Sequence, residues 1–126
     1  MIYISSPPEG LDPEIAKANV RDITHKIFEL GALVINPLNL GIPDGWLQIE
    51  KDNKRKEVIT EKATAIFLQK DWNQSDAAKK EFLAVHKHNS NRKNRVIQIY
   101  FEDFHGFNDL ESDLRERILI PEIPAV

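Results

Sequence analysis

The residue whose type and placement most invite chemistry is Glu81. Between Ser75 and His88 the apolar residues recur at helical spacing, and Glu81 stands inside their stripe, with Ala77 and Ala78 one turn before it and Ala84 and Val85 one turn after. Lysines and a histidine take the opposite side. An unpartnered ionised carboxylate on a buried face costs several kcal/mol, so a chain that keeps one there either uses it or pairs it. The bland alternative is a carboxylate tied to Tyr3 or to a lysine for structural reasons. The four histidines do not suggest a metal centre, because His86 and His88 point to opposite sides of one helix while His25 and His105 lie in other segments. With no cysteine, thiol catalysis, disulfides and thiolate zinc sites are excluded. Phosphate-loop, G-x-S-x-G and G-x-G-x-x-G patterns are absent, so no cofactor and no metal are expected.

The elements that must position Glu81 follow from apolar runs and breakers. Ile2 to Ser5 is a short strand ended by Ser6-Pro7-Pro8-Glu9-Gly10, and Asp12-Pro13 starts a helix carrying Ile15, Val20, Ile23, Ile27 and Phe28 as far as Gly31. Ala32 to Ile35, closed by Asn36-Pro37, reads as a strand covered on both faces and therefore interior to a sheet. A loop with Gly41, Pro43 and Gly45 leads to a polar helix from Trp46 to Lys62, with a break allowed between Glu50 and Glu57. Ala63 to Leu68 and Arg95 to Phe101 are the third and fourth strands, and Asp109 to Ile118 is a short amphipathic helix. Strands alternating with helices predict an α/β fold with a parallel sheet, since each parallel return needs a crossover that covers a face.

The chain of 126 residues fits one domain, residues 1–126, with 41% hydrophobic and 29% charged residues. Its net charge of −3 gives no general attraction to a nucleic-acid polymer, and the basic run from His86 to Arg95 reads as a solvated helix end and loop. No secretory start or membrane-length apolar stretch is visible, so the cytoplasm is the expected location and no membrane partner is expected. In an open α/β sheet, ligands gather beyond the strands' C-terminal ends, which here carry Ser5, Ser6, Asn36 and the segment from Gln69 to Ser75. Each has a plain alternative: Tyr3 as a core filler, Asn36 as a turn brace, Asp71 and Trp72 as ordinary turn or wall residues.

The order and wording of these segments resemble the nucleoside 2-deoxyribosyltransferase family, most closely its short relatives, over roughly the first four-fifths of the chain. Ile2-Tyr3-Ile4-Ser5-Ser6-Pro7 is similar to the family's I-Y-I-[AS]-G-P opening, and Val34-Ile35-Asn36-Pro37 to its V-x-N-P strand end. A tryptophan-led helix follows at Trp46, and Trp72-Asn73-Gln74-Ser75-Asp76-Ala77-Ala78-Lys79-Lys80-Glu81 is similar to W-x-x-S-x-G-A-x-x-E. The resemblance implies a flavodoxin-like three-layer sandwich with a mainly parallel sheet of four to five strands. It also implies a nucleoside or nucleotide substrate, Glu81 as nucleophile with Tyr3 beside it, and a retaining transfer or hydrolysis of the N-glycosidic bond.

On this resemblance Ser5, Ser6, Asn36, Trp46, Asp71, Trp72 and Ser75 are candidate substrate contacts, Ser75 with its neighbouring amides for a sugar hydroxyl or 5′-phosphate. A homo-oligomer is expected, with Tyr100 to His105 and the tail from Pro121 to Val126 completing a neighbour's site. Ser6 and Ala77 stand where relatives keep glycine, Thr64 replaces an aspartate, and counting back from Ile66 puts Lys56 or Glu57 at a second aspartate position. The chemistry requires Glu81 free of cations at the mouth of a cleft. The alternative is a non-catalytic nucleotide- or metabolite-binding module on the same fold.

Overall fold

A computed structural model describes residues 1–123. The first strand, β1 (Ile2–Ile4), passes through a proline-bearing turn into helix α1 (Pro13–Glu29). Asp12 caps that helix by accepting from the Glu14 amide at 2.8 Å, and Pro13 fills the first turn where no amide is needed. Strand β2 (Val34–Ile35) is followed by the long loop to α2 (Gln48–Lys62), then β3 (Ala65–Leu68) and a single 3₁₀ turn at Trp72–Gln74. Helix α3 (Asp76–Ser90), β4 (Gln98–Phe101), a second 3₁₀ turn (Glu102–Phe104) and α4 (Gly106–Arg115) complete the described chain.

The strands form one all-parallel sheet in the order β2-β1-β3-β4, between α1 and α4 on one side and α2 and α3 on the other. This is a flavodoxin-like three-layer arrangement. Strand alternation assigns the faces: Ile2, Ile4, Ala65 and Phe67 pack with Val20, Ile23 and Ile27 of α1 and Leu110 and Leu114 of α4. Tyr3, Ile66 and Leu68 pack with Val58 and Ile59 of α2 and Val85 of α3. The chain steps from β1 outward to β2, then crosses back over β1 to β3 and on to β4, so the strand order reverses between β1 and β3.

Several elements differ from the sequence expectation. The second strand is not interior: it lies at the sheet edge, pairs only with β1, and both of its residues are half-buried. A short apolar run reads alike at an edge and in the middle, because the loop covering it is invisible to periodicity. Helix α2 starts at Gln48, not Trp46, with Glu50 accepting from the Leu47 amide at 3.0 Å, and it runs unbroken through Glu50 to Glu57. In α1 the buried stripe is Ala16, Val20, Ile23 and Ile27, whereas Ile15 and Phe28 are exposed. No described helix is long and apolar enough to cross a membrane.

Candidate functional site

Past Ile4 the first strand keeps its pairing for one more residue, the Ser5 amide donating to the Phe67 carbonyl at 2.9 Å, and then turns at Ser6 across the end of the sheet. Alternation sends the Tyr3 ring towards α2 and α3, where α3 carries Glu81 about a turn and a half from its start. Ser75 sets that start by capping the Ala78 amide at 3.1 Å. The carboxylate therefore meets the C-terminal end of β1 beside the switch in strand order.

Glu81 is 1% exposed, and both of its carboxylate oxygens are bonded. Its Oε1 accepts from the Ser6 amide at 2.8 Å, and its Oε2 accepts from the Ser6 hydroxyl at 2.9 Å and from the Tyr3 hydroxyl. Burial pushes the Glu81 carboxyl above the ordinary glutamate value, and the bonds from Tyr3 and Ser6 and the charge of Arg55 only partly offset it. Burial and the neighbouring Glu81 likewise raise the Tyr3 phenol well above its usual range, so Tyr3 acts as a hydrogen-bond donor and not as a base.

The carboxylate is not free of cations. Arg55 Nε lies 3.9 Å from Oε2, and the same guanidinium donates to Asp52, which also takes a bond from Lys80 at 2.7 Å and one from Gln48 at 2.9 Å. Burial raises the Asp52 carboxyl, but the bonds from Lys80 and Gln48 and the charges of Lys80 and Arg55 together hold it below the ordinary aspartate value. This chain of groups joining α2 to Lys80 of α3 was not found by reading the sequence. Its signal was the i, i+3 pair of Asp52 and Arg55, which gave no hint that Asp52 would be buried.

Neither Lys56 nor Glu57 takes the place of the second aspartate: Glu57 is exposed and paired with Lys54 at 3.6 Å, and Lys56 lines a groove with Thr60 and Lys87. Thr64 bonds the Met1 carbonyl at 3.1 Å, at the opposite end of the sheet.

The other candidates separate. Ser5 binds Gln69 twice, its hydroxyl accepting from the Gln69 amide at 3.0 Å and its carbonyl from Gln69 Nε2 at 2.6 Å. Asn36 braces its own turn, accepting from the Leu38 amide at 2.8 Å. Trp46 is 39% exposed in the loop, Trp72 packs its ring on Phe82 and Phe101, and Ser75 is spent as a helix cap. Asp71, in the left-handed region at φ 61°, lines a cavity of about 350 Å³ beyond the ends of β1, β3 and β4. That cavity lies against α1, on the face of the sheet away from Glu81; its wall includes Gln69 and Gln74 but neither Glu81, Tyr3 nor Ser6. The expected single cleft is thus two places at the same sheet end: a closed polar knot around Glu81 and an open cavity around Gln69 and Asp71.

Of the regions expected to reach a neighbouring subunit, Asp103, Phe104 and His105 are exposed, while parts of the others are engaged within the chain. Tyr100 is buried and donates to Asp113 at 2.5 Å, and the amides of Glu122 and Ile123 donate to the Gly31 carbonyl at 2.9 and 3.1 Å. Glu122 also pairs with the Met1 ammonium at 2.6 Å. The rest of the tail lies outside the described residues.

The chain matches no protein-family model, no curated protein and no solved structure.

Proposed function

We propose that the chain acts on a nucleoside or nucleotide and cleaves or exchanges its N-glycosidic bond, with Glu81 as the nucleophile. The observation that carries this reading is the Glu81 carboxylate itself: buried, raised in pKa, and aimed by Tyr3 and the Ser6 amide at the C-terminal end of β1 next to the switch in strand order. Its direction is fixed, but it is closed over and lies 3.9 Å from the Arg55 guanidinium instead of standing free of cations, so a sugar reaches it only after these neighbours move.

In the first step Oε1, which carries one hydrogen bond against two on Oε2, attacks the anomeric carbon. The C–N bond breaks, its electron pair leaves with the base, and an ester to Glu81 forms. In the second, water or another base attacks the same carbon and releases the carboxylate. The Ser6 hydroxyl must first give way, and a sugar hydroxyl taking its place on Oε2 restores the lost bond. Incubation with deoxynucleosides and their 5′-monophosphates, followed by chromatography of free base, tests this. Base release that is lost in Glu81→Gln supports it; equal release in both removes it.

The second reading, a binding module without catalysis, rests on a different observation. Among the described residues no carboxylic acid free to protonate the departing base stands by Glu81: the Tyr3 and Ser6 hydroxyls are committed to Glu81 itself, Asp52 is held ionised by Lys80, Gln48 and Arg55, and Glu57 is exposed and paired with Lys54. Positioned proton transfer commonly contributes about 10²- to 10⁴-fold. Thermal stabilisation by a nucleoside with no base released identifies this case.

A further inference from the structure

The cavity beyond β1, β3 and β4 has features that the glycosidic reading leaves unused. Gln69 is 2% exposed, and its Nε2 is committed to the Ser5 carbonyl at 2.6 Å, which fixes which end of the amide is which. Its Oε1 accepts no bond from the described residues. Among those residues no buried side-chain polar atom lacks a partner, so Oε1 touches solvent, and the solvent that reaches Gln69 is in the cavity it lines. A side chain so nearly sealed, held at one end and bare at the other, presents one oriented acceptor to whatever enters.

Around that acceptor the wall carries Glu9, Asp22, Asp71 and Glu102 against Lys26 and Lys70, an excess of two negative charges. Glu9 and Glu102 each give one oxygen to a backbone amide, of Asp76 at 3.2 Å and of Lys70 at 2.7 Å, and keep the other. Lys26 lies over the Phe107 ring at 5.0 Å from its centre. An anion is repelled by such a wall, which sets the cavity apart from any phosphate subsite. A single metal ion is not suited either, because among the described residues no three such acidic or imidazole groups converge on one point. Separated acceptors without convergence fit an elongated organic cation with several N–H donors.

We propose that this cavity binds a small aliphatic amine or guanidine with two separated cationic groups, one N–H donating to Gln69 Oε1 and the charges lying near Asp71 and Asp22. The volume of about 350 Å³ falls in the range of small-molecule sites and admits such a ligand with water beside it. The site is independent of Glu81 and stands or falls separately from the glycosidic reading.

The test is calorimetric titration of the full chain with putrescine and agmatine at low and physiological salt, with magnesium, inorganic phosphate and adenosine as comparison probes. Saturable binding of a diamine or agmatine is expected, weakened at least tenfold in Asp71→Asn and in Gln69→Leu. Asparagine accepts the left-handed backbone that Asp71 adopts, so Asp71→Asn keeps the fold and remains informative if Gln69→Leu does not fold. No saturable binding, binding unchanged in Asp71→Asn, or magnesium, phosphate or adenosine binding in place of the amines would overturn the proposal.

Discussion

The Tyr3 hydroxyl donates to Oε2 of Glu81 across 78 residues of sequence, joining the first strand to the third helix through two side chains that are both almost wholly buried. The bond favours the ionised carboxylate against the burial that opposes it, so Tyr3 sets how much of Glu81 is charged at a given pH.

Tyr3→Phe removes that donor without changing the packing of the ring. The remaining Glu81 carboxyl then titrates higher still, and the acid limb of the base-release profile moves to higher pH. A pH–rate profile of the variant beside wild type measures the move, and an unmoved limb contradicts the assigned role. The stability cost expected from urea unfolding is about 1.5–3 kcal/mol, typical of a buried bond to a charged group.

Ser6→Ala removes the hydroxyl that occupies Oε2 but keeps the backbone amide on Oε1. If the hydroxyl must leave before a sugar arrives, its loss spares one bond to a charged group, about 1.5–3 kcal/mol at most, and raises the rate of base release by roughly tenfold. Single-turnover rates on the two proteins decide it. A slower or unchanged rate shows that Ser6 supports the chemistry or is indifferent to it.

The acid dependence of stability separates the two buried carboxylates. Glu81 has a raised folded pKa, so the native state holds its proton more tightly than the unfolded chain. That contribution is complete below the ordinary glutamate value and fades as pH climbs through the folded one. Asp52 has a lowered folded pKa, so its contribution is present above the ordinary aspartate value and fades as pH falls through the folded one. Urea unfolding across acid and neutral pH therefore shows Glu81→Gln flattening the neutral-side decline and Asp52→Asn flattening the acid-side loss. The reverse assignment contradicts the hydrogen-bond pattern. Glutamine is the right replacement for Glu81, because the Tyr3 and Ser6 hydroxyls can turn to accept from its amide nitrogen, whereas alanine strands all the donors.

The parts of the fold that rest on local chemistry were legible in the sequence. Asp12-Pro13 and Ser75 mark helix starts, and the apolar runs at Ile2 and Ala63 mark the strands that flank the switch in strand order, the first of them holding Tyr3, although not that these two are the central ones. The burial of Glu81 followed from its helical neighbours. What was illegible depended on partners distant in sequence: whether Val34-Ile35 sits at an edge, and whether Asp52 is buried by the side chains of Arg55 and Lys80. The division of the expected cleft was hidden for the same reason, since strand alternation sends Tyr3 to one face and Gln69 to the other while the sequence places both at strand ends.

The most direct test of the account is intact-protein mass spectrometry after incubation with a 2-fluoro-2-deoxy nucleoside, whose fluorine disfavours the positive charge that develops at the anomeric carbon in both steps, so that the ester accumulates where its breakdown is slower than its formation. The account predicts a mass increase of one fluorosugar, mapped by peptide digestion to Glu81 and absent in Glu81→Gln. Base released with no adduct, or an adduct mapped to another residue, would contradict it.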